Sequence, residues 1–364
     1  MKTGIITFHR AINYGAVLQT YALQEYLNNH GYNAEVIDYR CEHMENFYKI
    51  ASIKDKSFKQ VIRGLMNFGY AYKKKHAFYR FLKQNVNMSS EIYKQTNISE
   101  ANSKYDRFIT GSDQVFNYAC SNFDKNYFLN FVQNSEKKFS YAASFGMKKV
   151  PEKYVNDYKK LLSSFHELSI RETDGQNIVK DLLGRETELS VDPVFLLKTE
   201  NWEKLAKKSK LENYILIYKL NTSNIIFDFA RKLAKLTGKK IVALNFDVVD
   251  QIKTPDIKGL YSASVEEFLG YFKYADYVVT NSFHGTAFSI IFHKKFYVEA
   301  LQKDFMPNDR VESLLNLTKL NGCKIQALED CRLDVSRDFE IADEKIKQQR
   351  SYAKQYFERI LNEN

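Results

Sequence analysis

Short β-prone runs alternate with helical stripes along this chain, stop, and start again, and that rhythm restricts the fold more than any single motif. Gly4 to Phe8 is a brief β-prone run, followed by polar residues ending in Asn13-Tyr14-Gly15. Ala16, Val17, Leu18, Tyr21, Ala22, Leu23, Tyr26 and Leu27 then recur at helical spacing until Gly31. Residues 34–39 (AEVIDY) form a second strand-like run. A β-α-β unit predicts a parallel sheet, because a helix must carry the chain back to the starting edge. The beat resumes at 105–110 (YDRFIT), 138–143 (KFSYAA), 167–171 (ELSIR) and 187–191 (TELSV), with helices expected near 152–165 and up to 183. Residues of about 198–212 are polar and lysine-rich and read as a helix plus linker.

The pattern restarts with strands expected at 214–218 (YILIY), 240–245 (KIVALN), 277–280 and 295–299. Helices are expected between them at 225–237, 265–273 and 286–292. A last stripe, Tyr352, Ala353, Tyr356, Phe357, Ile360 and Leu361, needs a surface to bury against. The 364 residues suit two domains. The expected class is therefore α/β, with two Rossmann-like domains facing a cleft. The first spans 1–200 and carries a basic helical insertion at about 42–100. The second spans 213–335, and a C-terminal helix follows at 340–364.

The formal net charge of +10 favours acidic partners, from phosphorylated metabolites to anionic lipids and nucleic acid. Lys49 to Lys83 holds ten Lys/Arg against one acidic residue, Asp55. That segment can pack its aromatics inward and leave its lysines in water, or touch an anionic membrane as a peripheral contact. Nucleic acid is set aside, since no nucleic-acid module accompanies the charge. Cys41, Cys120, Cys323 and Cys331 are too widely spaced for a zinc or thioredoxin-like motif. The opening apolar run is too short for a signal peptide, and none approaches the roughly 18 residues of a membrane span. The expected location is the cytoplasm, with the inner face of the membrane as the variant that the basic segment allows.

Chemistry is expected on the polar loops after the strands, where a parallel sheet binds ligands. There is no G-x-G-x-x-G after the first strand, no Walker lysine loop, no G-x-S-x-G and no H-E-x-x-H, so no cofactor or metal is expected. His284 is placed on the turn between an expected buried strand and helix. There it can serve as general acid or base near neutral pH, or merely tie the turn together. Arg171 ends an apolar strand, where it can grip a phosphate or carboxylate, or pair at the surface with Glu172 or Asp174. Ser112 and Asp113 can position a sugar hydroxyl, with Asp113 as a base, or cap a helix. Asn13 and Gly15 can form an anion-binding turn or only a tight loop. Arg310 can reach the cleft or stay solvated.

These loops together resemble those of the polysaccharide pyruvyl transferase family. The matches are Gly4 to Phe8 with Asn13 to Leu23, Gly111-Ser112-Asp113-Gln114-Val115-Phe116-Asn117, Ser169-Ile170-Arg171-Glu172, Asp192-Pro193-Val194-Phe195-Leu196 and Thr280-Asn281-Ser282-Phe283-His284-Gly285-Thr286, in register over about 1–320. The resemblance implies a fold like the GT-B glycosyltransferases, with the C-terminal helix crossing back to the first domain. It implies transfer of the enolpyruvyl group of phosphoenolpyruvate to a sugar or lipid-linked glycan of a surface polysaccharide, leaving a pyruvate ketal. It gives His284 the acid/base role and Arg171 the donor. Asp113 is the second catalytic candidate. Asn13, Gly15, Ser112, Ser282, Gly285 and Arg310 complete the binding set. Many family members carry an Arg where Ser282 stands, and Arg310 is the expected substitute. The alternatives are a nucleotide-sugar glycosyltransferase and a non-catalytic sugar-phosphate-binding protein of a glycan-assembly complex.

Overall fold

The chain winds into two parallel sheets of one design. A computed structural model describes residues 1–49, 58–220, 223, 225–300, 302–303, 306–307 and 309–362. The first sheet contains β1 (Lys2–Ile6), β2 (Asn33–Tyr39), β3 (Met88–Tyr93), β4 (Arg107–Thr110) and β5 (Lys138–Ser140), in the order β3-β2-β1-β4-β5. A short pair, β6 (Ser169–Ile170) and β7 (Glu188–Leu189), lies beside it through bridges of Phe139 with Glu167 and Ala143 with Ile170. The second sheet contains β8 (Tyr214–Tyr218), β9 (Lys240–Leu244), β10 (Lys258–Leu260), β11 (Tyr277–Thr280) and β12 (Lys295–Glu299). After a hairpin of β13 (Gln302–Lys303) and β14 (Met306–Pro307), β15 (Lys324–Ile325) joins its edge, giving the order β10-β9-β8-β11-β12-β15.

Helices α1 (Tyr14–Asn29), α2 (Glu42–Phe47), α3 (Phe58–Asn85), α4 (Tyr118–Ser121), α5 (Val155–Ser163) and α6 (Thr173–Leu183) accompany the first sheet. After α7 (Thr199–Leu205) come α8 (Ile225–Thr237), α9 (Val248–Lys253), α10 (Val265–Tyr274), α11 (Phe283–Ile291) and α12 (Asp309–Thr318), and the chain ends on α13 (Phe339–Asn362).

The expected helical insertion is only partly helical. Met88–Tyr93 is a strand, so the segment is the crossover from β2 to an edge strand through the long α3. Ser89 and Tyr93 are buried and the three residues between them exposed, so no regular alternation advertises the strand. Residues 50–57 of that segment lie outside the described residues. Helix α11 also starts three residues earlier than expected, because Ser282 caps it by accepting from the Gly285 N–H at 3.2 Å.

One hydrophobic core runs through both domains. Tyr14 stacks on Phe268 across the boundary with ring centroids 4.4 Å apart, and its hydroxyl donates to the Ala263 carbonyl at 2.7 Å. Trp202 joins Tyr21 of the first domain to Phe288 of the second. A buried aromatic of this kind stabilises by about 1.5–3 kcal/mol. Helix α13 crosses back as expected. His293 and Asp343 meet at 3.1 Å on the second domain. Farther along, Arg350 donates to the carbonyls of Phe195 and Leu197, and Tyr356 donates to that of Ser140 at 2.6 Å. Helix α3 is a second tie, with Lys74 donating to Asn245 at 2.8 Å and Asn67 accepting from the Val248 N–H at 3.1 Å. The outward face of α3 leaves Ile62, Leu65, Met66 and Tyr72 exposed. No described helix is long and apolar enough to cross a membrane.

Candidate active site

In a parallel sheet of order 3-2-1-4-5, the chain winds outward to one side from the first strand and to the other side from the fourth, which leaves a crevice between them at their carboxyl ends. Both sheets have such a crevice, and the two face each other. The loop after β1 brings Asn13 and the start of α1; the loop after β4 brings Ser112 and Asp113; the loop after β11 brings His284. Asn13 accepts from the N–H groups of Gly15 and Ala16 at 2.9 and 3.3 Å, so its side chain caps α1.

The N-terminus of α1 meets the N-terminus of α11. A Cβ on Gly15 would lie 2.0 Å from Nδ1 of His284, so only glycine lets the imidazole sit against the helix. Both helix ends turn partial positive charge toward the same spot. His284 is 5% exposed, and its Nε2 lies 3.5 Å from Asp192 Oδ2.

Asp192 organises the centre. Its Oδ2 accepts from the Ser112 hydroxyl at 2.9 Å and from Arg171 Nη1 at 2.5 Å, while Oδ1 accepts from the Val194 N–H at 3.1 Å. Burial pushes the Asp192 carboxyl up, but His284 and Arg171 outweigh it and hold the group well below the usual carboxylate range. Arg171 is 5% exposed, lies over the Phe283 ring with 4.6 Å to the centroid, and stands 3.7 Å from Asp113. The surface pairing of Arg171 with Glu172 or Asp174 is therefore not what forms. Glu172 instead turns inward to accept from the Ser144 hydroxyl and the N–H groups of Phe145 and Gly146.

Arg310, on the first turn of α12, joins this group. Burial and the positive charge of Arg171 both lower its pKa. Two neighbouring guanidinium groups repel one another unless an anion separates them. Arg171 Nε and Nη2, Arg310 Nε and His284 Nε2 are all buried without a hydrogen bond. A buried donor left unpaired costs about 1–3 kcal/mol, so their convergence describes a site prepared for a ligand rich in acceptors.

Asp113 sits at φ +72°, a strained conformation that Asp tolerates better than most residues. It faces a cavity of about 260 Å³ that Asn13, Gln114 and Tyr48 also line. A smaller cavity of about 50 Å³ holds Arg171, Asp192, Phe283 and Arg310. The largest cavity described, about 800 Å³, lies at the opposite, amino ends of β8 and β9 and contains none of these groups.

The structure thus gathers His284, Arg171, Ser112, Asp113, Arg310, Asn13 and Gly15 at one place. The Ser282 hydroxyl is engaged as the α11 cap, and Gly285 faces away, where a Cβ would lie 2.3 Å from Thr280 Oγ1. Sequence reasoning missed Asp192 and Glu172 as members of the site. The available signal was their position: each is an acidic residue directly after an apolar strand end.

The paired Rossmann-like domains, the facing crevices and the returning C-terminal helix define a GT-B protein. Comparison with solved structures bears this out. The chain superposes on a UDP-GlcNAc 2-epimerase of Methanocaldococcus jannaschii, solved with UDP-GlcNAc and UDP, at TM-score 0.54 and 13% identity, covering 97% of this chain and 100% of that one. It superposes on S. aureus MnaA bound to UDP at TM-score 0.52 and 11% identity, covering 100% and 97%. These identities establish the fold alone. No curated protein sequence matches the chain. The family model described as polysaccharide pyruvyl transferase matches residues 13–301. The chain belongs to that family, which makes it a transferase of polysaccharide biosynthesis.

Gly15→Ala tests the contact between the two helix ends. Alanine is the better helix residue, so any loss comes from the clash with His284. A displacement near 1 Å should lower transferase turnover by about 100-fold while the circular dichroism spectrum keeps its native shape.

Proposed function

We propose that this protein transfers the enolpyruvyl group of phosphoenolpyruvate to a sugar of a surface-polysaccharide precursor, forming a pyruvate ketal. The observation that carries the reading is the convergence of unpaired Arg171 and Arg310 donors beside His284. Phosphoenolpyruvate carries a phosphate and a carboxylate on adjacent positions, which suits two guanidinium groups between two helix N-termini.

Protonation of the C3 methylene creates an oxocarbenium-like centre at C2. A first sugar hydroxyl adds to C2 and gives its proton to a base. The C2–O bond to phosphate then breaks, the electron pair leaving with phosphate, which takes up a proton. A second hydroxyl attacks C2, loses its proton and closes the ketal. His284 is the acid/base, oriented by Asp192, and Asp113 is placed to receive a hydroxyl proton from the larger cavity. Arg171 and Arg310 hold the charge that builds on phosphate. Arg310 does the work of the arginine that Ser282 replaces.

A nucleotide-sugar donor would look to the carboxyl ends of β8 and β9 for room. There α3 intervenes, with Lys74 on Asn245 and Asn67 on the Val248 N–H. That packing supports the smaller donor. Replacing Arg310 by alanine should weaken phosphoenolpyruvate binding at least about tenfold, and calorimetry with unchanged affinity would reject its role.

The same reading puts the acceptor on a lipid carrier in the cytoplasm at the inner membrane face. Helix α3 supports this with exposed Ile62, Leu65 and Met66 followed on the same face by exposed Lys73, Arg80 and Lys83. Cosedimentation with phosphatidylglycerol vesicles, lost in Leu65→Glu, is the expected result; equal recovery of both proteins with the vesicles would remove α3 from the account.

A further inference from the structure

A second cavity lies beside the one that Asp113 faces. His43, on α2, lines both, and the second, of about 690 Å³, is on the outer side of the first domain. The lining of the second cavity has an unusual composition for this chain. Five amide side chains contribute to it; Asn126 is buried and donates to the Tyr39 hydroxyl at 2.7 Å, which leaves Asn46, Gln95, Asn122 and Asn130. All four residues are exposed, and none of their side chains has a hydrogen bond to another described residue. Two aromatic rings, Phe123 and Phe131, line it as well.

The charge argues against an anionic ligand. The protein as a whole carries +10, yet this cavity is lined by one lysine, Lys125, against the two carboxylates Glu42 and Asp124. Lys125 is itself paired with Asp157 at 2.8 Å, and Asp124 accepts from the Tyr39 hydroxyl. A phosphate or nucleic-acid backbone would find few cations free to hold it. Amides offer a donor and an acceptor each, and ring faces offer apolar contact. Together they match an uncharged polyhydroxylated ligand, with alternating hydroxyl and C–H surfaces.

We propose that the acceptor is an oligosaccharide that occupies both cavities, with the reacting sugar beside Asp113 and the preceding sugars of the chain beyond His43 among these amides. This rests on the acceptor being a glycan, as proposed above, and adds that the enzyme measures its length. The reacting cavity alone, at about 260 Å³, has room for one sugar ring. The second cavity supplies affinity remote from the reaction, which orients the hydroxyl pair at C2 of the donor.

The test uses the surface polysaccharide of the cells that make this protein, partially hydrolysed and separated by length, titrated calorimetrically into the full chain. Fractions of three or four sugars should bind at least about tenfold more tightly than the single-sugar fraction. The double variant Asn46→Ala/Asn130→Ala should lose that gain, with single-sugar binding, phosphoenolpyruvate binding and melting temperature unchanged. Equal affinity for all lengths, no binding of any fraction, or a double variant that keeps the gain would each overturn the proposal. Length-dependent glycan binding without any phosphoenolpyruvate binding would leave the two-cavity acceptor site standing and refute the donor instead.

Discussion

His284→Ala is expected to release phosphate from phosphoenolpyruvate about 1000-fold more slowly than the native protein, with donor affinity changed by no more than a few-fold. General acid/base groups typically contribute 10²–10⁴-fold, and the other nearby imidazole, His43, lines the cavity on the Asp113 side while His284 is the one beside Asp192. The substitution also leaves a void against Gly15, so His284→Gln provides a control that fills more of it. If both variants fold, bind donor and fail to turn over, the imidazole itself is responsible. Full turnover by either would end the catalytic assignment. Single-turnover measurement of phosphate release, with acceptor present, separates this from a binding defect.

Arg171→Ala should do the most damage to the fold. It leaves Asp192 buried beside Ser112 without its guanidinium partner, with the His284 imidazole 3.5 Å away. Breaking a buried pair by removing one partner costs about 3–5 kcal/mol. The pH dependence gives a second readout. In the native protein Asp192 is held well below the ordinary carboxylate range, so its stabilisation is present above that range and is lost only as pH falls through the depressed value. Without Arg171 the depression shrinks, and the acid-unfolding midpoint should move to higher pH. Arg171→Lys keeps a charge but not the planar guanidinium, whose Nη1 donates to both Asp192 and Ser112 while the group lies over Phe283 and turns Nε and Nη2 to the site. That variant should fold and bind phosphoenolpyruvate at least about tenfold more weakly. Native acid stability in Arg171→Ala would contradict the coupling described.

The strands with uninterrupted apolar runs were legible. Tyr214–Tyr218 and Tyr277–Thr280 lie where their residues predict, because strands buried on both faces need no alternation to be recognised. Met88–Tyr93 was not legible, since an edge strand with three exposed central residues carries little hydrophobic signal. The start of α11 is not legible either, since the role of Ser282 as a cap depends on backbone geometry that a one-dimensional pattern does not display. Asp192 illustrates the harder case. Its loop stood out, yet its partners Ser112, Arg171 and His284 lie 80, 21 and 92 residues away and meet only through the fold. The loops of a parallel sheet can be found one at a time, but which of them share a carboxylate is a tertiary fact.

The central claim is that the two guanidinium groups and His284 serve an enolpyruvyl donor. The most direct measurement is phosphate release from phosphoenolpyruvate with and without fractionated native polysaccharide, run beside the same assay with UDP-sugars and release of UDP. The account predicts phosphate release that depends on acceptor, a mass gain of one ketal-linked pyruvate on the glycan, and no UDP. Acceptor-dependent UDP release with phosphoenolpyruvate left intact would contradict it.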